Sequence, residues 1–463
     1  MRLRAIVLIL STILTLPVSA TDWPMFHLKR THTGFNPLET VIDRNNVQFL
    51  SRSWVGIAGD IIDFSSPAVV GTSIYLGSTD GNLYVFDTAG CGADECFAVW
   101  TGNAGGSVYS SPAVANGVVY VGSNNHTLSA FSAAGCGQAS CQPLWTGTLG
   151  GAILQSSPVV AGGMVFVGSF DNNLYAFKAK GCGKNSCAPV WKGKTNDHIE
   201  SSPAVWKGVV FVGSNDQNLY AFSASGCGAA ICSPLWIGPT GAPIFESSPT
   251  VVNGVVYIGA FDSKVYAFQA AGCGNPVCNP LWTGITQSLY VDSTPAVAHG
   301  TLYVGSGDGF LYAFRAAGCG QPNCPPKWIG VGDGAVAAIL SSPAVANGVV
   351  YVGKNTNEVL AYSASGCGQF TCAPLWSGLT QDSIVSSSPA LVNGTLYIGS
   401  SNKNDGVHPG RLYVFNLSVR RLDPINFSVT KDWLEETFTP RMTRADACGD
   451  CLRAPIARTP GSQ

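Results

Sequence analysis

Charged side chains are scarce in this 463-residue chain. They make up 11% of it, 25 basic against 27 acidic, for a formal net charge of −2. A nucleic-acid-binding chain carries a basic patch or a high isoelectric point, and neither is present. Histidines number only six and fall at different points of the sequence, among them His126, His198 and His299, so they form no metal-ligand pattern. After the N-terminus no apolar run is long enough to span a bilayer. The 55 glycines follow no Gly-X-Y period, which excludes collagen and fits an all-β chain with many turns.

Four short apolar runs recur instead, cut apart by Gly, Asn, Asp and Ser. One copy runs Ser201-Ser202-Pro203-Ala204-Val205, Val209–Gly213, Leu219–Phe222, then Gly226-Cys227-Gly228 through Cys232 to Trp236. Prolines opening the first run stand at 67, 112, 158, 203, 249, 295, 343 and 389, a period of 45 to 48 residues. Tryptophans closing the fourth stand at 54, 100, 145, 191, 236, 282, 328 and 376. Four strands at such a period mark a propeller blade. The expected fold is therefore an all-β, eight-bladed β-propeller with four antiparallel strands per blade.

Local detail agrees with that period. Runs such as Val118–Val121 are continuously apolar, as in a sheet covered on both faces. Asn-Gly at 116–117, 253–254, 347–348 and 393–394 is the type I′ signal for the first hairpin. Asp80, Asp171, Asp216, Asp262 and Asp308 fall in the next turn, where Asp bonds its own backbone. The last repeat lacks a Trp strand, and the Trp54 strand has no partners before it. The Trp54 strand is thus expected to join the last blade and close the ring.

Arg2 and Arg4, the apolar run Ala5–Leu16 and the small residues Val18-Ser19-Ala20 read as a secretory signal, cleaved near Ala20. Residues 21–46 form an entry segment, 47–416 the propeller and 417–463 a C-terminal extension, partly disordered. Export, whether periplasmic or extracellular, places the 16 cysteines in an oxidising compartment. Fourteen pair at one spacing: Cys91–Cys96, Cys136–Cys141, Cys182–Cys187, Cys227–Cys232, Cys273–Cys278, Cys319–Cys324 and Cys367–Cys372. Half a zinc site is the rival reading, but seven pairs in successive repeats cannot divide into sites of two. Local disulfides are expected, each stiffening its own loop without clamping one repeat to the next. Cys448 and Cys451 lack the context of a redox or haem motif, and an eighth disulfide is expected there.

These repeats resemble those of the pyrroloquinoline-quinone (PQQ)-type propellers, which include quinoprotein alcohol dehydrogenases and the propeller lipoprotein of the bacterial outer-membrane assembly machine. The resemblance rests on Ser-Ser-Pro-Ala-Val, Val-Tyr-Val-Gly-Ser, Asp80–Asp87, the closing Trp, and Asp22-Trp23-Pro24 with Asn36-Pro37-Leu38 in the entry segment. It covers about residues 22–416 and implies the repeat fold. The quinone enzymes of the group carry adjacent cysteines and a calcium site on long channel loops. Here no Cys-Cys occurs and the loops before Ser-Ser-Pro are about ten residues long. No catalytic residue carries over.

Three residues before each proline the chain varies: Phe64, Tyr109, Gln155, Glu200, Glu246, Asp292, Leu340, Ser386. Glu200, Glu246 and Asp292 would stand together at the channel mouth, a candidate calcium or polar-ligand site set against plain solvated loop ends. The insertion Asn402–Gly410, with His408, is a candidate partner contact. The function expected is that of an exported, monomeric, non-enzymatic propeller that binds a protein, peptide or glycan, with no cofactor. The alternative is a PQQ- and calcium-dependent oxidoreductase.

Overall fold

The computed structural model describes residues 22–417, apart from 288–289, 333–336 and 402–408. The expected signal sequence, the C-terminal extension with Cys448 and Cys451, and most of the Asn402–Gly410 insertion with His408 lie outside the described residues.

Eight sheets stand in a ring, one per repeat. In the fourth blade the strands are Ala204–Trp206, Val209–Ser214, Asn218–Ser223 and Trp236–Pro239, all antiparallel. The middle strands are buried along nearly their whole length, because each blade is covered by a neighbour on both faces. The Asn-Gly hairpins adopt positive φ at both residues, for instance 52° at Asn116 and 76° at Gly117, as a type I′ turn requires. The turn aspartates bond backbone two residues on, as at Asp216 to Asn218. In five blades the same carboxylate also accepts a bond from the third-strand tyrosine, as Tyr220 to Asp216 at 2.5 Å.

Ring closure follows the Trp54 strand. Leu50–Ile57 pairs antiparallel with Arg411–Leu417 and completes the eighth blade with Ala390–Val392 and Thr395–Ser400. The two ends of the repeat region are thereby hydrogen-bonded into one sheet.

Ser-Ser-Pro makes a second closure around the channel. The first serine's hydroxyl accepts the N–H of the glycine near the end of strand two of its own blade, as Ser201 from Gly213. The second serine's hydroxyl accepts the N–H of its counterpart one blade back. Those bonds run 66–111–157–202–248–294–342–388 and return to 66, at 2.8–3.0 Å, with Thr294 as the single threonine. Ser202→Ala would leave the buried Ser157 N–H without an acceptor, at a cost of about 2 kcal/mol. Chemical denaturation of that variant should show the loss, and no loss would mean water replaces the hydroxyl.

All seven expected disulfides form. Their loops do more than the sequence suggested, and the expectation that they do not clamp neighbouring repeats is corrected. Six of them lay a short strand parallel to the outer strand of the preceding blade, as Ser140–Cys141 on Trp100–Asn103 and Glu95–Phe97 on Leu50–Ile57. The seventh, in the fifth blade, makes a single bridge, Ile237 to Val277. Blades therefore hold four or five strands. Among the described residues seven of the eight outer edges are covered rather than left as an unpaired template, the exception being Trp376–Leu379 of the seventh blade.

The first glycine of each Gly-Cys-Gly sits on the previous blade's tryptophan. A Cβ on Gly226, whose φ is +77°, would stand 2.7 Å from the Trp191 ring. Trp376 lacks such a loop, because the repeat breaks there. Its indole Nε1 instead donates to the Leu50 carbonyl at 3.0 Å, where the entry segment joins the ring.

The entry segment is a plug. Its backbone from Trp23 to Gly34 bonds inner-strand valines of blades one, two, four, five, six and seven, including Val69, Val205 and Val345. Asn36 then reaches the Leu391 carbonyl of blade eight. His27 and His32 are buried at its centre, 2% and 1% exposed, with His27 Nδ1 2.8 Å from the His32 carbonyl. Gly34 permits the crossing, since a Cβ there would meet His27 and the Pro343 carbonyl below 3.0 Å.

Candidate functional site

The plug and the disulfide loops occupy one face of the ring. The loops entering each blade, with their variable positions, open on the other. Between the plug and that mouth lies a cavity of about 30 Å³. Phe26 of the plug closes it on one side, and Phe64, Gln155, Glu246, Asp292, Leu340 and Ser386 line it with four serines of the hydrogen-bonded ring. Six of the eight variable positions thus meet, although each comes from a different blade. Tyr109 is drawn edge-on against Phe64, with ring centroids 5.9 Å apart. The Glu200 carboxylate is held by the Asn215 amide at 2.8 Å.

Electrostatics concentrate here. The Ser386 hydroxyl donates across the channel to Glu246 at 3.0 Å. Burial pushes the Glu246 carboxyl well above the usual range, and the neighbouring acids Asp292, Glu200 and Asp63 push it further; the Ser386 bond opposes them. Asp292 is pushed up to about 7, first by burial and then by Glu200, against the backbone N–H of Glu246. Glu200 is raised by burial, opposed by its Asn215 bond and by His198. These carboxyls raise one another, and among the described residues no lysine or arginine lines the cavity.

Among the described residues no group of three or more His, Cys, Asp or Glu side chains is placed to hold a metal ion. Glu200, Glu246 and Asp292 share the mouth, but Glu246 and Glu200 are each turned to a hydrogen-bond donor on the protein. Calcium takes six to eight oxygens, and this arrangement does not converge on such a shell. The space is large enough for a water or two, and about tenfold below the roughly 300–1,000 Å³ of small-molecule pockets. A three-ring quinone does not fit the cavity.

Aromatic rings border the mouth, and the sequence reading had not singled them out. Phe261 stacks on Tyr290 with centroids 4.7 Å apart and meets Phe245 edge-on at 4.8 Å; it is 38% exposed. Phe170 stacks on His198 at 4.6 Å. Phe170 and Phe261 stand in the turn after the second strand, two residues past its glycine, where other repeats place Thr79, Asn124 or Asn215. Comparing that column across repeats would have found them. His126, His198 and His299 are far apart in role: His126 and His299 occupy turns with positive φ, and His198 faces the mouth.

Comparison with known proteins agrees with this architecture. Residues 134–229, about two repeats, match the family described as Outer membrane protein assembly factor BamB. No curated protein sequence matches. Among solved structures, BamB from Moraxella catarrhalis superposes with a TM-score of 0.58 at 17% identity, over 79% of this chain and 99% of that one. The quinohemoprotein alcohol dehydrogenase of Comamonas testosteroni gives 0.63 at 14%, over 86% and 80%. A europium-containing methanol dehydrogenase gives 0.63 at 12%, over 86% and 98%. At these identities the likeness is one of fold. What is shared is the propeller built from four-stranded blades.

Proposed function

We propose that the protein is an exported, non-enzymatic propeller that binds a protein partner through the open mouth of its channel, without quinone or calcium. The observation that supports this reading is the shape of the channel. The entry segment closes it from one face, and what remains is a shallow, acidic, aromatic-bordered recess. Such a recess suits contact with a protruding group better than enclosure of a cofactor. The seven disulfides are consistent with an exported protein. No helix among the described residues is long and apolar enough to cross a membrane. The protein partner of the outer-membrane assembly factor and the quinone of the dehydrogenases belong to those proteins, and the shared fold licenses neither here.

The test is direct. Purified protein incubated with PQQ and calcium should show no bound-quinone absorbance and no dye-linked alcohol oxidation. Quinone retained through gel filtration, with turnover, would overturn the proposal in favour of a quinoprotein oxidoreductase.

A further inference from the structure

We infer that the channel mouth is a docking site for a basic side chain, lysine or arginine, presented on an exposed segment of the partner protein. This rests on the binding reading above and names the partner's chemistry.

Charge complementarity selects the occupant, since a cation docked here favours the ionised form of two carboxyls that burial and neighbouring acids otherwise hold protonated. In a chain with only 27 acidic residues, Glu246 and Asp292 line one small cavity, and Glu200 and Asp63 stand near enough to raise the Glu246 carboxyl further. Among the described residues no basic side chain lines that cavity. An anionic ligand would need donors, but the backbone N–H groups circling the channel are consumed by the serine ring. The cavity wall presents the Glu246 and Asp292 carboxyls, the Gln155 amide and serine hydroxyls, with aromatic faces at the lip.

Size and shape agree. The recess holds about 30 Å³, comparable to one or two waters, which matches the head of a side chain and not a free metabolite. Phe261, Phe245 and Tyr290 stand on the lip, with Phe170 and His198 beside the neighbouring loop. Aromatic faces attract a cation and also cover the apolar stem of a lysine or arginine. The Tyr290 hydroxyl is raised first by burial and then by the charges of Asp292 and Glu246, and its ring stacks on Phe261 at the lip.

Fluorescent pentapeptides Gly-Gly-Xaa-Gly-Gly, blocked at both ends, provide the probe, with Lys, Arg, norleucine or Glu at the centre. Anisotropy at low salt should show Lys and Arg peptides binding at least tenfold more tightly than norleucine and Glu. Phe261→Ala should weaken the Lys peptide about fivefold, within the range of an exposed cation–π contact. Glu246→Gln combined with Asp292→Asn should abolish the preference while leaving the thermal transition at neutral pH unchanged or higher, since it removes buried repulsion. Equal binding of Lys and norleucine peptides, or a preference that survives the double variant, would overturn the inference. The quinone assay reads the underlying proposal separately, so failure of one is distinguishable from failure of the other.

Discussion

Full reduction of the seven disulfides should lower the midpoint of thermal unfolding by about 17 °C. Each bridge closes a loop at a sequence separation of 5, worth about 2 kcal/mol in the chain-entropy account, so all seven contribute roughly 14 kcal/mol. A propeller of this size unfolds with an entropy of about 0.8 kcal/mol per kelvin, which converts that sum into the shift. The structure says where the loss is felt. Each loop carries a strand onto the preceding blade's outer edge and a glycine onto its tryptophan, as Ser186–Cys187 does for Thr146–Gly147 and Gly181 for Trp145. A reduced loop samples many shapes and pays more conformational entropy to restore both contacts. Calorimetry with and without a phosphine reductant measures the shift. The variant Cys227→Ser, Cys232→Ser should lose about one seventh of it, and an unchanged midpoint after complete thiol titration would show that edge pairing alone holds the loops.

Acid should loosen the plug. His27 and His32 are buried with their pKa values lowered from 6.5 to about 4 and about 3, chiefly by burial; for His32 the charge of His27 adds to it. In the unfolded chain both protonate near pH 6.5, whereas in the folded protein they stay neutral until well below 5. Between those limits the unfolded state binds more protons, so stability falls as pH falls, by about 1.4 kcal/mol per pH unit for each histidine. Above pH 6.5 neither contributes a slope. Glu246 and Asp292 act in the opposite sense. Their carboxyls are raised, so they stay protonated in the folded protein at a pH where the unfolded chain has lost the proton, and stability falls as pH rises from about 4 toward 7. The wild-type profile is thus flattened by cancellation across this window. Glu246→Gln should raise the midpoint at pH 7 and leave it unchanged at pH 4, which unmasks the histidine slope. His27→Gln with His32→Gln should remove the acid-side slope. Urea unfolding at half-unit pH steps reads both, and a Glu246→Gln profile parallel to wild type would contradict the assignment.

Much of this fold was legible because it repeats. The spacing of Pro203 and Trp236, the Asn-Gly hairpins and the unpaired Trp54 strand each report contacts within one blade or between its ends, and all of them hold in the structure. The mouth was half legible. Phe64, Gln155, Glu246, Asp292, Leu340 and Ser386 stood out as the variable column and do line one cavity. Phe170 and Phe261 were missed because they belong to a second column, brought beside the first by turns of the same face, as the Phe261 N–H bonded to the Pro243 carbonyl shows.

By itself, then, the sequence determined the blade, the number of blades and the place where the ring closes. Those depend on short-range β pairing and on apolar runs that recur at a fixed period, which any one repeat displays. Only the tertiary structure decided that the disulfide loops are clasps between blades, that His27 and His32 seal one face, and that Glu246 finds Ser386 across the channel. The physical reason is that these contacts join segments with no shared periodicity. The loop's strand pairs parallel to a neighbour's edge, the plug is a single copy with no internal repeat to reveal it, and the acids become neighbours only once the ring has closed.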